Sequence, residues 1–134
     1  MNFSEQITKF VLEATASIED TAKEIIFEVG DSLVTLTPVL TGRLKGNWQM
    51  TVGSPSTHSM IRYDKTGDAT KEDIWNKVHN FKLGQVAFIV NNLTYSEIIE
   101  YGGSPLKAPD GMLRVTEAKF EHIIKLAIEN NRIN

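Results

Sequence analysis

Catalysis needs nucleophiles, proton carriers or metal ligands at workable spacing, and this chain offers few. It has no cysteine, which removes disulfides, thiolate zinc sites and cysteine nucleophiles together. Its three histidines, His58, His79 and His122, lie far apart in the sequence. His122 follows Glu121, but no second histidine stands four residues away, so the two-histidine helix of a zinc protease is missing. No serine sits in a nucleophile-elbow pattern. Gly102-Gly103-Ser104 lacks both the spacing and the lysine of a phosphate loop. Glu97 and Glu100 supply two carboxylates, as glycoside hydrolysis requires, yet three residues apart on one short helix they read as surface groups. Asn92-Leu93-Thr94 matches the glycosylation sequon, which has meaning only for an exported chain; a turn closing a strand accounts for it. The expectation is a protein with no catalytic residues, no cofactor and no metal, and therefore not an enzyme.

Two polar groupings remain. Arg43, Lys45 and Trp48 form a basic and aromatic cluster of the kind that contacts nucleic acid. On a net-acidic chain the same residues suit a solvated turn beside a core tryptophan. Glu100 stands between Ile99 and Tyr101, so it is expected to be half-buried and to need a cation. Arg43 and Arg114 are the candidates, because a planar guanidinium engages a carboxylate through two bonds. Such a pair would pin the loop at 102–111 to the sheet.

The elements that position these residues follow from periodicity. Apolar side chains recur at Phe3, Ile7, Phe10, Ala14, Ile18, Ala22, Ile25, Val29, Leu33 and Leu36. The step is about 3.7 residues, which predicts one amphipathic helix over 3–36. Ser4 suits its N-cap, and Pro38 stops it because the residue before a proline avoids the helical region. Gly30 is its internal weak point. At about 1.5 Å per residue the helix is roughly 50 Å long, whereas a domain of this size should be roughly 35 Å across. Either it breaks near Gly30, or one end projects and is covered by another subunit.

Beyond Pro38, Thr41-Gly42-Arg43-Leu44 reads as a turn. Trp48, Met50 and Val52 then alternate with Gln49 and Thr51 in a strand over 46–53. Residues 53–80 form a long polar insert, with a short second strand at 60–63 and a helical piece opening at Thr70. An insert of this kind is expected to be functional or mobile. The apolar run 85–90 predicts the most buried strand. A short helix over 94–101 and a final helix over 109–130, opened by Pro109 and Asp110, complete the chain. The expected class is α+β: one domain over 1–134, with long N-terminal and C-terminal helices packed on a small, mainly antiparallel sheet at 46–91.

Composition bounds this picture. The 134 residues are 41% hydrophobic and 23% charged, too apolar for disorder and of a length that suits one domain. No apolar run approaches the roughly 18 residues of a membrane span, and residues 1–6 lack a basic and then apolar export signal. The net charge of −3 predicts neither nucleic-acid nor membrane binding. Its distribution is more informative: residues 1–37 net −5, residues 38–67 net +3 and the remainder −1. An acidic head before a basic centre points to complementary surfaces, within the fold or between copies.

Three segments together resemble a known family. The run from Thr37-Pro38 through Thr41-Gly42-Arg43-Leu44 into Trp48 resembles the "TP-x-x-TG-R-L" turn of the small neck and tail-completion proteins of long-tailed bacteriophages. Asn91-Asn92, Tyr95, Glu100-Tyr101-Gly102 and Ser104 are similar to that family's "NN-x-x-Y-x-x-x-x-E-YG-x-S" segment. Ala108-Pro109, Gly111-Met112 and Arg114 are similar to its "AP-x-GM-x-R" lead into the last helix. Leu40 departs from the pattern, since the family often has an acidic residue there. Gly42, Gly102 and Gly111 suit sharp backbone positions, and Trp48, Tyr95 and Tyr101 suit core or contact anchors.

The resemblance implies a structural virion protein of the head–tail neck, assembled in the host cytoplasm. Such a protein forms a homo-oligomeric ring through which DNA passes without specific binding. It has a head-closure or portal-adaptor protein on one side and a tail-tube or tail-terminator protein on the other. The implied contacts are heterologous, for which the acidic helix and the basic centre are suited. The alternatives are a tail terminator or other minor tail component and, in another class, a small DNA-binding or DNA-processing factor.

Overall fold

The structure is a computed structural model that describes residues 2–94, 96–100 and 111–132. Its first helix, α1 (Phe3–Leu36), runs unbroken through 34 residues, a length of about 51 Å. The cap is Asn2 rather than Ser4. Asn2 Oδ1 accepts from the Glu5 amide at 2.8 Å, and Glu5 Oε2 accepts from the Asn2 amide at 3.2 Å. This reciprocal capping box satisfies two donors where Ser4 could satisfy one. At the other end Thr37 is extended, with φ −74° and ψ 125°, as Pro38 requires.

Gly30 does not interrupt α1. It is buried, and a Cβ placed on it would stand 3.1 Å from Cγ2 of Ile74. The bare backbone lets the second helix, α2 (Asp68–Val78), press close against the first. Burial along α1 is strongly graded. Leu33 and Val34 are 1% and 0% exposed, whereas Phe3 is 76% and Phe10 62% exposed. All residues from 2 to 13 are exposed, so the N-terminal end projects beyond the body.

Among the described residues the sheet is one antiparallel pair, β1 (Trp48–Val52) with β2 (Ala87–Asn91). Trp48 stands opposite Asn91 and Met50 opposite Ile89. The class is α+β, with long first and last helices and a small antiparallel sheet, as the sequence predicts. Two details differ. The most buried strand is β1, whose Trp48, Gln49 and Met50 are all buried, while β2 is half-buried throughout. β1 is covered on both sides, because Gln49 Nε2 reaches the His58 carbonyl at 2.8 Å and Arg62 Nη2 the Trp48 carbonyl at 3.1 Å. Residues 60–63 form no strand. Their backbone is held by side chains instead, Met60 N donating to Asn47 Oδ1 at 2.6 Å and Arg62 Nε to the Gly46 carbonyl at 2.7 Å.

α2 opens at Asp68, two residues before Thr70. A short helix, α3 (Ser96–Glu100), follows the sheet, and α4 (Leu113–Asn130) closes the fold. α4 runs antiparallel along α1. Thr116 hydrogen-bonds Ser32 at 2.8 Å near one end, and Asn131 accepts from Ser17 near the other. The core joins Leu33 and Val34 of α1 to Trp48 and Met50 of β1, Ile74 and Val78 of α2, and Ile99 and Met112.

Candidate functional site

The residues singled out by the sequence concentrate at the end of the molecule where α1 stops, in three polar knots. The first is centred on Thr37. Its hydroxyl accepts from Trp48 Nε1 at 2.7 Å, lies 2.6 Å from the Leu33 carbonyl and 3.2 Å from Met112 Sδ, and is buried. One side chain thus ends α1, fixes the start of β1 and touches the residue before α4. These parts come from separate sequence segments.

The second knot is Glu100 with the start of α4. Glu100 is 5% exposed. Its Oε1 accepts from the amides of Met112 at 2.7 Å and Leu113 at 2.6 Å. Its Oε2 accepts from the amide and the Nε of Arg114, both at 3.1 Å. Arg114 also donates from Nη2 to the Glu100 carbonyl. A carboxylate at a helix N-terminus answers both the orphan donors and the dipole. Burial pushes the Glu100 carboxyl upward, but the amides of Leu113 and Arg114, the guanidinium and the Met112 amide outweigh it and hold it below the usual range. Gly111 is at φ +78°, and a Cβ there would collide with the Glu100 carboxylate and stand 2.6 Å from its carbonyl oxygen. Of the two candidate cations, Arg114 is the partner. The pair fastens α3 to α4 rather than to the sheet.

The third knot orders the polar insert. Asp64 Oδ2 accepts from the Thr70 amide at 2.8 Å and its hydroxyl at 2.7 Å, and Oδ1 from the Gly67 amide at 3.1 Å. Burial raises the Asp64 carboxyl, and the bonds from Thr70 and Gly67 more than reverse that. The Gly42 carbonyl accepts from the amides of Gly46 at 2.9 Å and Asp64 at 3.0 Å. Gly42 has φ +85°, and a Cβ on it would meet the Asp64 and Lys65 backbone at 2.6–2.7 Å. Asn47 Nδ2 donates to the Arg43 carbonyl at 2.6 Å. The Thr41–Leu44 turn is therefore the bed on which residues 60–64 lie.

The remaining sequence-predicted residues are placed as follows. Leu44 and Met112 are core, Pro38 is half-buried and Thr41 exposed. Arg43 is half-buried, and its Nε is buried with no hydrogen-bond partner among the described residues. Asn92 is exposed and donates to the carbonyls of Ser56 at 2.8 Å and His58 at 3.0 Å. Tyr95, Tyr101, Gly102 and Pro109 lie outside the described residues. Lys45, expected on a solvated turn, is 8% exposed. Burial, then the neighbouring Lys71, pull its ammonium below the usual range against the opposing effect of Asp64.

Sequence reasoning missed Asp64, Asn47 and the role of the Thr37 hydroxyl. Asp64 had a readable signal: Asp64, Gly67 and Thr70 are spaced as an acidic cap, a left-handed turn and a helix start. Asn47 and Thr37 had none, because the partners that give them their roles, Met60 for Asn47 and Trp48 and Met112 for Thr37, are not set by local spacing. Among the described residues no cluster of three or more metal-ligating side chains occurs, and no helix is long and apolar enough to cross a membrane. No protein-family model matches this chain, and no curated protein or solved structure matches it at a significant level of similarity.

Proposed function

We propose that the protein is a structural component of the bacteriophage head–tail neck. It forms a ring that joins the head connector, through a head-closure or portal-adaptor protein, to the tail-tube or tail-terminator protein. The observation that carries this reading is how the motif residues are used. Thr37, Gly42, Trp48, Glu100, Gly111, Met112 and Arg114 spend their polar atoms or backbone freedom on one another and on helix ends. Such residues build a rigid end to a subunit, as a ring component needs, and leave no reactive group facing a substrate. The projecting end of α1 also supports an assembling protein, since apolar surface on a free subunit marks a contact.

The DNA-binding alternative needs cations free to meet phosphate. Several in the basic centre and α2 are committed elsewhere. Lys45 is buried, Arg62 pairs with Asp73 at 3.3 Å, and Lys71 pairs with Asp31 at 3.0 Å. The deciding experiment is electron microscopy of particles assembled without this protein. Filled heads beside separate tails are expected; joined, infectious virions overturn the reading.

A further inference from the structure

We infer that free subunits pair through the projecting end of α1, two copies lying antiparallel about a two-fold axis between Thr8 and Lys9. The inference goes beyond the neck reading and stands without it. It begins with the seam that α4 covers on α1. Ser32, Glu24 and Ser17 meet α4 through Thr116, Asn130 and Asn131, and there α4 ends. The same side of α1 continues as half-buried Ala14 and exposed Phe10, Ile7 and Phe3. With a turn every 3.6 residues, those four fall within an arc of about 60°, and the α4-facing residues lie within about 40° of it. Phe3 is 76%, Phe10 62% and Ile7 48% exposed.

The spacing of the four is four, three and four residues, which reads the same in both directions. Two such helices laid antiparallel therefore place Ile7 against the partner's Phe10, and Phe3 against the partner's Ala14. The second pairing sets the largest side chain against the smallest, as interdigitated helix packing requires. It also has a receptacle. Where α4 ends, an apolar groove opens, floored by Ala14, Ser17 and Thr21 and flanked by Ile18, Ile128 and Arg132. The partner's Phe3 enters that groove. The partner's helix then takes up the track that α4 leaves, running in the same direction. Its N-terminus abuts the C-terminus of α4, and the two helix dipoles meet head to tail. The spacing that reads the same in both directions makes the face complementary to itself and selects a second copy as the occupant.

The patch is small. Interfaces burying less than about 1,200 Å² in all are weak, so the dimer should exchange with monomer in a concentration-dependent way. A two-fold contact cannot by itself propagate into a ring.

The absence of native cysteine makes the test direct. The double variant Phe3→Cys/Ala14→Cys is oxidised and its mass measured. Within one chain the two positions are roughly 16 Å apart along the helix and cannot bridge. The expected product is a covalent dimer closed by two bridges. A control shifted in register, Phe3→Cys/Phe10→Cys, should give none. Phe10→Glu, a change at an exposed site, should keep the circular-dichroism spectrum and weaken the dimer at least tenfold by light scattering. A wild type that stays monomeric at every concentration up to its solubility limit overturns the inference, including the case where another protein covers the seam. A ladder of trimers and higher species, the signature of head-to-tail docking, overturns it too, as does equal trapping in the control. None of these outcomes touches the neck reading, which particle microscopy judges separately.

Discussion

The indole Nε1–H of Trp48 donates to the hydroxyl oxygen of Thr37 across 2.7 Å, with both residues 3% exposed. The bond joins the end of the longest helix to the first residue of the sheet. Thr37→Val keeps the shape and removes the acceptor, leaving a buried N–H unpaired. It is expected to cost about 1–3 kcal/mol, read as a lower urea midpoint with unchanged slope. Thr37→Ser, which keeps the oxygen, should lose less than about 1 kcal/mol.

Glu100 and Asp64 are expected to make stability fall with acid. Burial opposes ionisation of each, but their hydrogen bonds prevail, so both folded values lie below the ordinary ones. The unfolded chain then binds more protons in the acid range, and stability rises with pH there. The contribution is complete above the unfolded carboxyl values, at about pH 4, and is lost as pH falls through the folded ones. Glu100→Gln turns an amide donor toward the Met112, Leu113 and Arg114 amides. It should cost about 2 kcal/mol or more at pH 7 and flatten the acid slope in denaturant titrations from pH 7 to pH 2. An unchanged slope would count against this account.

Gly30 sets an intrinsic helix preference against packing. Alanine should gain up to about 1 kcal/mol as a helix former. Its Cβ would stand 3.1 Å and 3.3 Å from two carbons of the fully buried Ile74, and overpacking of a core costs about 1–3 kcal/mol. Gly30→Ala is therefore expected to destabilise. Gly30→Ala/Ile74→Val should recover part of the loss, since the second change removes a methyl from Ile74. Thermal unfolding of the four proteins in the cycle measures the coupling.

Charge reversal at Lys45 tests folding rather than assembly, because the residue is buried. The Lys45 ammonium is held below its usual value by burial and then by Lys71, so at pH 7 its charge is a burden on the folded state. That burden lifts as pH rises through the folded value, and stability from this group increases toward alkaline pH. Lys45→Met should match or exceed the wild type at pH 7. Lys45→Glu puts a carboxylate in the same buried place and should cost about 2 kcal/mol or more. Equilibrium unfolding separates the two.

The sequence by itself determined the long first helix, its stop at Pro38, the first strand and the last helix, because each is a matter of local period and local stereochemistry. Ten apolar positions in register identify α1 without reference to any neighbour. The need of Glu100 for a cation was also legible from its flanking residues, but the choice of Arg114 over Arg43 was not. Tertiary structure decided that choice, because only folding brings the start of α4 against α3. It likewise decided that β1, not β2, is the more buried strand, since its cover comes from residues 58 and 62 through side-chain bonds that carry no period. It decided that Lys45 is buried and that the insert is held by Asp64 and Asn47. Most of all it decided where α1 lies bare: the apolar stripe is continuous from Phe3 to Leu36, and α4 ends near Ser17. Periodicity states that a face is apolar; only the lengths and placement of the other elements state how much of it they cover.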